Sequence, residues 1–343
     1  ETTMWDLLEQ GYFNSAPSAS ELEEEQNDAH IERPVMNIPE VEEDYEMSDR
    51  DYFRDDSSDE VTKKGTSPSL PIKLEVSTED VSIQVCSDLH TEFYGRFENI
   101  PEDIIVPNAP ILALVGDIGL AMTESLRRFL HFQSDRFEHV LFVAGNHEYY
   151  NNSYTQYTVA VQYRWMKEIC KQRDNILFLE RTAVEINDVV VLGTTLWSKI
   201  PKNSMQRAMS MNDYHLSYTA ENKTMSIHQT NYQFHKSIKW LKDQVHEYGA
   251  QNKSIVVLTH HTPLMEGTSN PKYDKSGIGC AFSTDLREFL QSPVKYWACG
   301  HTHWNFDLAF DDGNTRLVSN QRGYPGNEHP GYDNEGLILR IPM

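Results

Sequence analysis

From residue 72 onward the chain alternates between short, almost unbroken apolar runs and longer stretches with helical period. The short runs are Val81–Cys86, Ile111–Val115, Val140–Ala144, Val189–Gly193, Ser254–Leu258, Val294–Cys299, Thr315–Val318 and Gly336–Ile341. Their length and their content of β-branched residues predict strands. Thr123–Phe132, Tyr154–Arg173, Gln229–Tyr248 and Ser283–Leu290 carry apolar residues at helical spacing and predict helices. Strands that are apolar on both faces must be covered on both faces, so the pattern predicts an α/β domain of sheets flanked by helices. Late in the chain, Asp307–Phe310 and Thr315–Val318 flank Asp311-Asp312-Gly313-Asn314, a turn sequence that predicts a hairpin.

The first 70 residues lack this texture. Residues 1–60 hold 20 acidic and three basic side chains, so they carry −17 of the formal net charge of −22. Runs such as Glu21–Glu25 and Asp55–Glu60 repel themselves and bury too little apolar surface to offset ordering entropy. Residues 1–70 are therefore expected to be a mostly disordered acidic tail ahead of a folded domain over 72–343. Within the tail, Trp5, Leu8 and Tyr12 fall at helical spacing and suggest a short docking helix. Ser57 and Ser58, followed by Asp59 and Glu60, would suit an acid-directed kinase.

The charge argues against non-specific binding of nucleic acid or anionic lipid, both of which need a basic field. No apolar run is long enough to span a membrane. Cys86, Cys170, Cys280 and Cys299 are widely spaced and form neither a redox pair nor a zinc knuckle. With no signal-peptide pattern, the expected location is intracellular, in the cytoplasm, and the sequons at Asn151, Asn222 and Asn252 read as chance.

Chemistry enters at the ends of five apolar runs. Val81–Cys86 leads into Ser87-Asp88-Leu89-His90, Ile111–Val115 into Gly116-Asp117-Ile118-Gly119, and Val140–Ala144 into Gly145-Asn146-His147-Glu148. Ser254–Leu258 leads into Thr259-His260-His261-Thr262-Pro263, and Val294–Cys299 into Gly300-His301-Thr302-His303. Each cluster follows the carboxyl end of a strand, where open α/β folds build their sites. Asp88 to Asp117 and Asp117 to Asn146 are both separations of 29 residues, the length of a strand–helix unit. Asp, Asn and His without thiolate suit Mn, Fe or Zn. Asp88, His90, Asp117, Asn146, His260, His301 and His303 are too many ligands for one ion and enough for two if a carboxylate bridges. Paired metals are the standard means of hydrolysing a phosphate ester.

The ordered set D-x-H, G-D-x-x, G-N-H-E, H-H-x-P and G-H-x-H resembles the calcineurin-like metallophosphoesterase superfamily, over about Val81 to Ile341. The resemblance implies a four-layer αββα sandwich with a dinuclear centre at the sheet edge. It implies that Asp88, His90 and His303 bind one divalent metal ion, that Asn146, His260 and His301 bind the other, and that Asp117 bridges. His260 is preferred over His261 because it directly follows the strand. His147 resembles the catalytic histidine that contacts substrate and helps protonate the leaving oxygen, and the nucleophile is a hydroxide or water activated by the metals. Arg322, in Asn320-Gln-Arg-Gly-Tyr-Pro325, is a candidate for holding a phosphate. Tyr149, Tyr150, Trp304 and Tyr324 are candidates for lining the pocket.

Departures from the wider pattern narrow the expectation. Gly116-Asp117-Ile118-Gly119 lacks the V-D-R-G extension of the Ser/Thr protein phosphatases, and Ala144 replaces the Arg those enzymes carry before G-N-H-E. Asp88 stands where lariat-debranching enzymes have Cys. Thr195-Leu-Trp-Ser198 and Arg322–Pro325 are similar to T-x-W-S and R-G-Y-P in a poorly characterised group of the phosphodiesterase-like branch. The polar segment Lys199–Asn231 is expected to be an insertion that shapes specificity near the site. The expected function is metal-dependent hydrolysis of a small phosphodiester or phosphomonoester. The alternative is a non-catalytic scaffold of the same fold that recruits a basic protein partner through the acidic tail. A narrower expectation is that the tail's carboxylates compete for the metal site as phosphate mimics.

Overall fold

The computed structural model describes residues 70–76, 80–151 and 156–341. The expectations for the tail, including the helix around Trp5, the serines at 57 and 58 and the phosphate-mimic role, lie outside the described residues.

Two sheets form the centre. The first contains β1 (Ile72–Leu74), β6 (Thr182–Ile186), β7 (Val189–Thr194), β10 (Ser254–Thr259), β11 (Val294–Ala298), β13 (Thr315–Val318) and β12 (Asp307–Phe310), in that spatial order. The second contains β14 (Leu337–Ile341), β2 (Val81–Cys86), β3 (Ile111–Val115), β4 (His139–Val143) and β5 (Ile176–Phe178). Strands β2 to β5 are mutually parallel, and so are β7, β10, β11 and β13. The expected hairpin is present, with Phe310 of β12 opposite Thr315 of β13. A small ribbon pairs β8 (Tyr218–Ala220) with β9 (Lys223–Thr224).

Alternation along each strand sends successive side chains to different layers. Ile83, Val85, Ala113, Val115, Leu141 and Val143 of the second sheet meet Val184, Val191, Val256 and Leu258 of the first. The intervening residues Leu112, Leu114, Val140 and Phe142 face α1 (Glu124–Ser134) and α2 (Val159–Lys171), where Leu126, Phe129, Met166 and Ile169 cover them. On the far side, Val190, Leu192, Ile255, Val257 and Trp297 pack against Phe234, Leu241 and Tyr248 of α5 (Ile227–Ala250). The order helix, sheet, sheet, helix is the αββα sandwich. Helix starts follow local chemistry: Thr123 and Thr158 cap α1 and α2, and Ser226 with Gln229 closes a capping box on α5.

One expected helix is absent. Ser283–Leu290 forms only a short 3₁₀ turn at Arg287–Phe289, because its backbone is spent elsewhere. Thr284 N–H donates to Thr262 O and Leu286 N–H to Pro263 O, lacing the segment to the loop that follows β10. The segment 199–231 folds into α3 (Met205–Ala208), α4 (Asp213–Leu216) and the β8–β9 ribbon. It has a small core of its own, in which Ile200, Ala208, Met211, Tyr214 and Ile227 pack with Ile278 and Ala281. All four cysteines are free, and Cys86, Cys170 and Cys299 are buried. No described helix is long and apolar enough to cross a membrane.

Candidate metal centre

The five polar clusters come together where the carboxyl ends of β2, β3 and β4 meet those of β10 and β11. The loops there turn abruptly, and Asp88, His90, Asp117, His301 and His303 all have positive φ, between 49° and 75°. For side chains other than Gly such a conformation costs about 1 kcal/mol or more each, so the surrounding structure must hold it in place. Hydrogen bonds do so. Asp88 N–H donates to Gly116 O and His90 N–H to Asp117 O, both at 3.0 Å, and the Asp88 carboxylate accepts from His301 N–H at 3.0 Å. Gly145 is small because it must be: a Cβ there would land on the Asp117 carboxylate.

Glu148 organises the next tier. It is fully buried, and its two oxygens accept the N–H groups of Asp117 (3.0 Å), Ile118 (2.7 Å), Gly119 (3.2 Å) and Gly145 (2.6 Å). Burial and the neighbouring Asp117 push its pKa up to about 7, against the pull of the backbone donors. Its side chain thereby fixes both the Asp117 loop and the Asn146 loop.

Three compact donor groups result, one of them His90, Glu92 and His147. Asp88, His90 and His303 present one ligand atom each within 4.8 Å of one another, and so do Asp117, His260 and His301. Asp117 lies between them: its Oδ1 is 3.3 Å from His260 Nε2 and its Oδ2 is 4.0 Å from His90 Nε2. Asn146 Oδ1 is 3.0 Å from His260 Nε2, and His260 Nδ1 is anchored on Val115 O at 2.9 Å. His261 turns away from this point. Its Nδ1 pairs with Ser198 Oγ at 2.9 Å and its ring stacks on His301, with centroids 4.1 Å apart.

These groups suit a divalent cation. His301 Nε2 is buried with no hydrogen-bond partner among the described residues. Burial, together with the facing His261 and His260, holds its pKa well below the usual imidazole value, which keeps it neutral, as a ligand must be. Burial likewise lowers His90. Asp117 is held well below the ordinary carboxylate range: burial opposes its charge, but His260 and His147 outweigh that. Nitrogen and hard oxygen donors without thiolate fit Mn, Fe or Zn.

A family model for calcineurin-like phosphoesterases matches residues 81–305. The chain belongs to that family. It is 30% identical over 264 residues to the uncharacterized protein L509 of Acanthamoeba polyphaga mimivirus, covering 71% of this chain and 91% of that one. Its fold is similar to that of the phosphopantetheinyl hydrolase PptH from Mycobacterium tuberculosis, with a TM-score of 0.53 and 16% identity over 72% of this chain and 91% of that one. A dimetal phosphatase from Danio rerio is also similar, with a TM-score of 0.38 and 11% identity over 69% of this chain and 86% of that one. This chain is thus a metallophosphoesterase, an enzyme of metal-dependent phosphoester hydrolysis.

Other candidates are placed differently. The backbone of Arg322 and Gly323 is fastened to Ser87 O and Asp88 O, which brings Tyr324 over the site of the phosphoesterase. The Tyr324 ring lies 4.3 Å from the ring of His90 and 4.6 Å from that of His303. The Arg322 guanidinium instead pairs with Glu328 at 2.8 Å and lies over the Tyr94 ring. Its Nη1 is buried with no hydrogen-bond partner among the described residues. Tyr149 is fully buried against Trp197, and Trp304 packs on His329.

Three further residues belong to the site's surroundings. Asp213, from the inserted segment, is buried and accepts from Tyr150 O–H at 3.0 Å; Tyr150 in turn accepts from Asn146 Nδ2 at 2.7 Å. That chain turns the Asn146 amide so that its oxygen faces His260. Glu92, two residues past His90, reaches His147. For Glu92 the sequence holds a signal in D-x-H-x-E, whereas nothing in the insertion marks Asp213.

Proposed function

We propose that this phosphoesterase holds two divalent metal ions, Mn, Fe or Zn, and uses them to hydrolyse a small phosphodiester or phosphomonoester. Asp88, His90 and His303 would hold one ion, Asn146, His260 and His301 the other, and Asp117 both. The observation that carries the reading is the placement of Asp117, whose two oxygens address separate histidine groups. When bound, such a pair neutralises charge on the phosphoryl oxygens and lowers the pKa of the attacking water from about 15.7 to about 7. The chain's own residues do the rest. His147 is buried beside Asp117 with Nε2 3.9 Å from Asp117 Oδ2. Burial opposes its protonation, while Asp117 and Glu92 push its pKa up to about 9. Its Nδ1 is held by Glu92 at 2.8 Å, which leaves Nε2 to face the leaving oxygen as a proton donor. Tyr324, with its hydroxyl 3.5 Å from His147 Nε2, covers the same side and excludes water.

The test is hydrolysis of bis(p-nitrophenyl) phosphate and p-nitrophenyl phosphate by the Mn²⁺-loaded protein. Turnover of at least one, abolished by chelation and by His301→Ala, is expected. Folded, metal-loaded protein that turns over neither ester would contradict the reading.

A further inference from the structure

Glu92 stands on the loop after β2, yet its carboxylate is used on the loop after β4. Its Oε1 lies 2.8 Å from His147 Nδ1 and 3.3 Å from His90 Nδ1. Its other oxygen, Oε2, is buried with no hydrogen-bond partner among the described residues. A buried carboxylate with one oxygen unpaired lowers stability, so its placement calls for another explanation. The Asp117 loop supplies no second acid for His147, since Ile118, Gly119 and Leu120 follow. Across the ring, His147 Nε2 faces the centre, near Asp117 Oδ2 and the Tyr324 hydroxyl.

We propose that Glu92 is the positioning residue for His147, fixing its tautomer and ring rotation so that Nε2 is the nitrogen that delivers a proton. The inference rests on the role given to His147 above. Glu92 Oε1 accepts the Nδ1–H and keeps it throughout. As the bond from phosphorus to the leaving oxygen breaks, that oxygen keeps the electron pair and takes the Nε2 proton. The new P–O bond forms to the water oxygen, and the proton that water sheds restores the imidazolium through solvent. The contact to His90 Nδ1 lets the same carboxylate hold the neighbouring imidazole, as acids behind metal-binding histidines do.

A general acid matters most where the leaving group is a poor one. The experiment compares diphenyl phosphate with bis(p-nitrophenyl) phosphate, whose leaving group departs readily unprotonated, for wild type, Glu92→Gln, Glu92→Ala and His147→Ala. Rates are normalised to metal content. For Glu92→Ala, kcat should fall about 30-fold or more on diphenyl phosphate but only about threefold on the nitrophenyl ester, with Glu92→Gln in between. His147→Ala should show the same leaving-group dependence, more strongly. Independently of activity, ¹⁵N-correlated NMR of the imidazoles should show the Nδ1–H of His147 far downfield in wild type and lost in Glu92→Ala. Equal losses on both esters, or losses that vanish on normalising to metal, would overturn the assignment while leaving the role of His147 intact. A His147→Ala variant without leaving-group dependence would overturn both.

Discussion

His90 and His303 come from loops 213 residues apart in sequence, yet their Nε2 atoms stand 2.9 Å apart, each near a buried carboxylate. A cation seated between these nitrogens and the two carboxylates would be bound by all of them. Divalent metal should therefore stabilise the fold by about 3 kcal/mol at a hundredfold excess over its dissociation constant. Thermal unfolding with Mn²⁺ and with chelator measures this. The gain should shrink sharply in His303→Ala, and a melting point indifferent to chelator would argue against a metal at this pair.

Protons should leave as metal enters. In the metal-free protein, burial lowers the proton affinity of His260, but Asp117 overcomes it and pushes the pKa up from 6.5 to about 9. A folded-state pKa above the unfolded one stabilises the metal-free fold fully below about pH 6.5, and that contribution is lost as pH rises through about 9. A ligand imidazole must be neutral, so loading at pH 7 expels this proton, and affinity should climb between pH 6.5 and 8. Calorimetric titration in buffers of different ionisation enthalpy should show about one proton released or more per chain. Heats that do not depend on the buffer would contradict the protonation state described.

The inserted segment should tune the centre from outside it. Asp213 holds Tyr150, which holds the Asn146 amide. Asp213→Asn or Tyr150→Phe lets that amide rotate, and metal affinity should weaken about tenfold or more. Competition with a metallochromic dye reads this directly. Unchanged affinity in both variants would show that Asn146 is oriented by other contacts.

The sandwich is legible in the chain because β3, β7 and β10 are almost wholly apolar on both faces, a pattern that a doubly covered sheet satisfies. The polar tetrads behind five strands are legible because each must leave the strand at its carboxyl end. The short edge strands β1 and β5 carry too few residues to show a period, and α3 and α4 are held by the core around Met211 and Ile278 rather than by local preference. Ser283–Leu290 has helical spacing, but its pairing with Thr262 and Pro263 overrides the local signal. At the site itself, the pairing of the Arg322 guanidinium with Glu328 and its place over the Tyr94 ring are not readable from the motif. Long-range pairings of this kind, like Glu92 with His147, depend on which loops the fold brings together and leave little local trace.

If Asp117 is shared by two ions, the metal content of the protein must show it. Elemental analysis of Mn²⁺-loaded protein after gel filtration should find about two ions per chain in wild type and fewer in Asp117→Asn, with hydrolysis down at least about 100-fold. A wild-type chain that retains one ion or none, or an Asp117→Asn variant that keeps both ions and full activity, would rule out a two-metal centre shared through Asp117.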